Sequence, residues 1–185
     1  MRFLSLLSLT ITFLSCKEAA PEKKFISAPS LIEQQVRHID TSLFSIKKYI
    51  SRDTVVSDTI YIPREDFRKE VSAFLNIPDL SDAKKARSFN EETRYDELLK
   101  RVIISYTPLD PINEPYQRIE LFVEPNLAAG DQVKTILITR RQGDRNGFEQ
   151  EELIWQMDRS CTRLLITRKP GEAEQMYKEK WSWNE

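Results

Sequence analysis

Two hydrophobic rhythms divide this chain. Between about residue 30 and residue 100 the apolar positions recur mostly at spacings of three and four, and from Arg101 onward they alternate with polar ones. The first spacing suits one face of an α-helix. The second suits a strand with one face packed and the other wet.

Ser30-Leu31-Ile32-Glu33 reads as a capping box, in which the Ser30 side chain accepts from the Glu33 amide and the Glu33 carboxylate returns to the Ser30 amide. Ile32, Val36 and Ile39 then form one apolar stripe on a helix. Leu43, Ile46 and Ile50 could prolong that stripe, but Asp40-Thr41-Ser42 favours a break. A strand over residues 43–50 is therefore expected, paired through a turn at 51–54 with a second strand over 55–62. Pro63 suits the first turn of the next helix, with Glu65 and Asp66 near its positive end and Phe67, Val71, Phe74 and Leu75 on one face. Pro78 ends it. Residues 81–89 and 92–100 are expected to add two short helices, the second with Tyr95, Leu98 and Leu99 as its apolar side.

Beyond Arg101 the alternation runs through Val102, Ile104 and Tyr106, through Ile119, Leu121 and Val123, and through Val133, Thr135 and Leu137. Residues 148–157, 161–168 and 175–183 continue it. Gly130, Gly143, Gly147 and Gly171 fall between these runs, where turns need positive φ, and Asn146-Gly147 is a type I′ hairpin signal. The pattern predicts an α+β fold: N-terminal helices packed on one face of a mostly antiparallel, meander-type β-sheet, its other face wet or curved round a cavity.

Composition narrows the partners. A chain of 185 residues is one domain plus extensions. With 28 basic and 29 acidic residues it has no electrostatic reason to bind nucleic acid. Its 40% of apolar residues is enough to build a core.

The N-terminus is different in kind. Met1-Arg2 precedes an apolar stretch over residues 3–14, too short to span a hydrocarbon core, which needs about 20 residues, but of the length of a secretory signal. Phe13-Leu14-Ser15-Cys16 follows, and it resembles the lipobox of bacterial lipoproteins. Small Ser15 fits that pattern, while Phe13 stands where Leu or Val is usual. The resemblance covers residues 1–16 and implies cleavage before Cys16, lipidation of Cys16 and anchoring to the membrane through its acyl chains. Lys17-Glu18 stands where inner-membrane retention signals carry Asp, which implies the outer membrane. Residues 17–29 are Ala, Pro, Lys and Glu with few hydrophobes, the composition of a flexible tether. The expected organisation is thus a signal peptide over 1–15, a lipidated cysteine and tether over 16–29, and a single α+β domain over 30–185.

Candidate chemistry is sparse. Cys161 has no disulfide partner once Cys16 carries lipid, and in a strand it is expected as a small buried hydrophobe. His38, the only histidine, lies beside the helical stripe. One free cysteine and one histidine are too few for a zinc site, and no cofactor is expected. Asp144-Arg145-Asn146-Gly147 with Glu149 has some calcium-loop ligands, but its Gly comes too early and its acid is misplaced, so it reads as a hairpin turn. Glu65-Asp66, Glu91-Glu92 and Glu151-Glu152 are adjacent acids that cannot face each other within one element, and they read as solvated charge. No catalytic residue is assigned.

Two surface patches complete the reading. Tyr177, Trp181 and Trp183 share one face of the last strand, with Trp155 on a nearby strand. They would make either a ligand platform or core packing, and packing is preferred. Arg140-Arg141, Arg145, Arg159, Arg163 and Arg168-Lys169 gather at strand ends and could meet anionic headgroups or glycans, although interleaved acids favour a solvated face. The expected function is a non-catalytic envelope module binding a protein or glycan. The alternative is a carrier holding lipid in a curved-sheet cavity.

Overall fold

The computed structural model describes residues 25–184 apart from 54, 129, 145 and 146, and the side chains of 56, 57 and 144 also lie outside it. Helix α1 (Ala28–Thr41) is followed by strands β1 (Ile46–Arg52) and β2 (Val55–Ile62). Short helices α2 (Arg64–Glu70), α3 (Ser72–Leu75) and α4 (Ala83–Ala86) come next. The remainder is β3 (Phe89–Asp96), β4 (Arg101–Pro108), β5 (Tyr116–Glu124), β6 (Gln132–Asp144), β7 (Gly147–Gln156), β8 (Ser160–Arg168) and β9 (Gln175–Ser182).

All nine strands form one open sheet in the order β2-β1-β9-β8-β7-β6-β5-β4-β3, and every neighbouring pair is antiparallel. β3 to β9 are a meander. The β1–β2 hairpin then adds to the far side, against β9. That placement dictates the helical layer, because β2 and β3 are consecutive strands at opposite edges. Residues 63–88 must cross the width of the sheet, about 38 Å at a strand spacing near 4.8 Å. They do so as α2, α3 and α4.

Rings fix which face they cross. Phe67 of α2 lies edge-on to Trp183 at 5.6 Å, and Phe74 of α3 meets Trp155 at 5.4 Å and Trp181 at 6.4 Å. Ile32, Val36 and Ile39 of α1 join the same buried cluster. On the sheet side that cluster is lined by Ile119, Leu121, Ile136, Ile138, Leu153 and Cys161, the inward positions of successive strands. Fully burying a side chain of this size contributes about 1.5–3 kcal/mol.

The opposite face, bare of described helices, is not purely polar. Ile103 pairs with Phe122, Leu137 with Ile154, and Ile166 with Met176, while Leu164 lies two residues before Ile166 on the same face. Together they draw a continuous apolar diagonal from β4 to β9. Ile103 is buried yet stands outside the main core cluster, and the other six are half-buried.

Several expectations change in detail. α1 begins at Ala28 with Ser27 as its cap: the Ser27 hydroxyl accepts from Ser30 N–H at 3.2 Å. Glu33 is drawn away from any capping box to Arg68 at 2.8 Å and Arg37 at 3.2 Å. Phe25, within the stretch read as tether, is buried and stacks on Tyr106 at 4.8 Å. The first hairpin forms, with its leading strand shifted to start at Ile46. Residues 81–89 keep only the one-turn helix α4.

The largest correction is residues 92–100, expected as a helix. They contribute most of edge strand β3 and the turn into β4. An amphipathic helix needs a core to receive its stripe, and here Leu98 is 96% exposed and Leu99 54%. Asp96 instead caps the turn, accepting from the Leu98 and Leu99 amides at 3.0 and 2.9 Å. Gly143 also differs, since it lies inside β6, where an added Cβ would come within 2.9 Å of the Gly147 carbonyl oxygen. Close approach of strands β6 and β7, not a turn, is what excludes a side chain there.

Candidate functional site

Of the four aromatic residues weighed as platform or packing, three follow the preferred packing reading. Trp155, Trp181 and Trp183 are buried, at 0%, 1% and 4% exposure, and Trp155 and Trp183 rings contact each other at 5.4 Å. They are core. Tyr177 alone stands outside it, half-buried, its hydroxyl donating to Glu179 Oε1 at 3.2 Å. Burial pushes the Tyr177 pKa up.

Directly beside this aromatic core runs a row of alternating charge that the inward strand positions create. Lys48 of β1 donates to Glu70 at 2.6 Å and pairs with Glu179 of β9 at 2.8 Å. Glu179 continues to Arg163 of β8 at 3.6 Å, Arg163 to Glu151 of β7 at 2.6 Å, and Glu151 to Arg140 of β6 at 3.3 Å. The row thus spans five adjacent strands. The two carboxylates on the strands lie deepest: the Glu151 side chain is 5% exposed and that of Glu179 10%.

The helices determine where the row lies. Glu70 ends α2 and also accepts from Trp181 Nε1 at 3.3 Å, while the carbonyl of Asn76, the residue capping α3, accepts from Tyr116 Oη of β5 at 3.1 Å. The ions follow the rim of the helical layer between these two points. Core lies on one side of them and uncovered strand ends on the other. Taking a charge out of water costs several kcal/mol unless partners compensate. Here each buried carboxylate has at least two. At Lys48, burial opposes the charge, but hydrogen bonds to Glu179 and Glu70 outweigh it and hold the pKa above the usual lysine value.

Chemically the row is a rigid, balanced set of donors and acceptors. Arg140 and Arg163, each about a third exposed, turn part of their guanidinium groups to solvent while Glu151 fixes their orientation. Tyr177 on β9, Leu165 on β8, Glu151 on β7, Arg140 on β6 and Tyr116 on β5 are cross-strand neighbours. Planar groups held in place, with a tyrosine at either end, suit contact with polar surfaces or sugars.

The row was missed in the sequence because its members look like ordinary charges. A signal exists: Glu179 shares parity with Trp181 and Trp183, Glu151 with Leu153 and Trp155, and Lys48 with Ile46. A charge at inward parity that is also buried needs a partner. For the same reason Glu151-Glu152 is not a solvated pair, since Glu151 is buried and Glu152 points to the other face.

The remaining candidates separate. Cys161 is fully buried, and burial pushes its thiol well above the ordinary pKa. His38 is exposed on α1, edge-on to Phe44 at 6.2 Å, so core and surface keep the two apart. The arginines split between faces. Arg140 and Arg163 belong to the ionic row, and Arg141 sits over the Phe148 ring on the opposite face at 5.3 Å. The Asp144–Glu149 calcium candidate falls across residues outside the described ones. Among the described residues, no group of three or more His, Cys, Asp or Glu is placed to hold a metal ion. Comparison with family models, with curated proteins and with solved structures finds no match to this chain.

Proposed function

We propose that the protein is a lipid-anchored module of the bacterial cell envelope, acylated at Cys16 and probing a protein or glycan partner without catalysing a reaction. The anchor rests on residues 1–16. The observation that carries the module reading is the filled interior: Phe67, Phe74, Trp155 and Trp181 are at most 1% exposed, and the Phe74 ring packs on Trp155 and Trp181 and the Phe67 ring on Trp183 where a carrier would need a cavity. Cavities of about 390 Å³ do occur among the described residues, but they open at the β6–β7 and β8–β9 strand ends and are lined by Phe148, Arg168 and Lys169. A lipid site is enclosed and largely apolar. The partner surface is the uncovered side of the ionic row, with Arg140 and Arg163 between Tyr177 and Tyr116.

Native mass spectrometry of the mature protein separates this reading from the lipid-carrier alternative. The module carries only the acyl chains on its N-terminal cysteine. A stoichiometric second lipid released on activation would overturn the module in favour of the carrier.

A further inference from the structure

The apolar diagonal, on the face bare of described helices, ends among basic residues. On that face β8 and β9 present Arg168, Lys178 and Lys180, beside Tyr49 of β1, with Lys180 Nζ 5.9 Å from the Tyr49 ring centroid. Among the described residues, those three strands carry no acid there. The other end of the same face is balanced. Arg94 pairs with Asp96 at 3.5 Å, Arg101 with Glu124 at 2.9 Å, and Arg118 with Glu120 at 3.9 Å.

We propose that this face, along the diagonal and its basic end, lies against an anionic phospholipid surface. The proposal builds on the anchored reading above. Basic side chains beside an apolar stripe are attracted to negative headgroups while the stripe meets the interface. A second copy of the chain fits less well, because its basic end would meet either another basic end or the already neutralised β3–β5 end. The chain's own tether cannot cover the diagonal, since residues 17–24, Lys-Glu-Ala-Ala-Pro-Glu-Lys-Lys, hold no large hydrophobe.

Reach agrees with the charge. Phe25 stacks on Tyr106 of β4, and the diagonal begins on the same strand at Ile103. The tether from Cys16 to Phe25 extends at most about 30 Å, enough to pass an edge of a sheet layer about 10 Å thick. Docked this way, the molecule turns its ionic row away from the membrane, toward partners.

The test uses the full mature protein in phosphatidylcholine vesicles with and without phosphatidylglycerol. Two variants, Met176→Cys and Gln175→Cys, place a bimane label on opposite faces of β9, and buried Cys161 takes no label. A blue shift is expected at 176 only, and only with phosphatidylglycerol. Lys178→Glu with Lys180→Glu should lower the docked fraction relative to the undocked about tenfold or more. Equal signals at 175 and 176, or a shift indifferent to phosphatidylglycerol, would overturn the proposal. So would a shift that grows with protein concentration in the absence of vesicles, which would indicate self-association. Intact mass of the same sample reads the acyl group separately. Its absence sinks the anchored reading, whereas acyl mass without the shift sinks only the orientation.

Discussion

The two faces of this sheet are made by the same alternating strands, yet among the described residues one is covered by helices and the other is not. Residues 154 and 155 show the contrast at its sharpest. Trp155 is buried against Phe74 and Trp183 beneath the helices, and its neighbour Ile154 is half-buried on the bare face beside Leu137. Strand parity decides which face a side chain joins. What covers that face is decided by topology, because the passage from β2 at one edge to β3 at the other can cross on only one side.

The largest effect should therefore come from the covered side. Trp155→Ala is expected to lose about 3–5 kcal/mol in urea unfolding, and Ile154→Ala about 1 kcal/mol or less because its partners already leave it partly in water. Equal losses would break the contrast and mean that both faces are covered alike. The charged pair one turn of the pleat away repeats the comparison at lower amplitude. Glu151→Ala leaves the guanidinium groups of Arg140 and Arg163 without their shared carboxylate, and since both are partly solvated the cost should be about 1–3 kcal/mol. Glu152→Ala, on the bare face, should change stability by no more than about 0.5 kcal/mol.

A pH titration sharpens the same point. Burial raises the Tyr106 pKa to about 12, and Lys48 is also held above its ordinary value. In both cases the folded chain keeps a proton that the unfolded chain releases at lower pH. Stability is thus whole below about pH 10 and falls as the pH rises toward 12. Urea midpoints measured between pH 9 and 11.5 should show this fall, and Tyr106→Phe should flatten part of it. An unchanged slope in that variant would remove Tyr106 from the account. The smallest expected effect is Lys178→Gln on the bare face, within about 0.5 kcal/mol by the same unfolding measurement.

Much of this architecture was legible in the alternation itself. Strands β4 to β9 and the β1–β2 hairpin were readable because each carries a period of two bounded by turn residues. Edge strand β3 was not. Its residues Glu91 to Asp96 are mostly exposed, so no buried face imposed a period, and Tyr95, Leu98 and Leu99 imitated a helical stripe. The docking of β1 on β9 was equally hidden, because nothing local in either strand names a partner so distant in sequence. The site divides the same way. The burial of the tryptophans followed from size and parity, whereas the ionic row requires knowing that Lys48, Glu179, Arg163, Glu151 and Arg140 stand on five neighbouring strands. Cross-strand adjacency is a product of the sheet order.

The reading of the whole molecule hangs on residue 16, and one measurement tests it most directly. Cells expressing the native chain or its Cys16→Ala variant are labelled with radioactive palmitate and then fractionated, with an alkaline wash of the membranes. The native chain should carry label and stay with the washed membranes, and the variant should carry none and leave them. A variant that remains membrane-bound after the wash would contradict the acyl anchor and identify residues 3–14 as an uncleaved hydrophobic one.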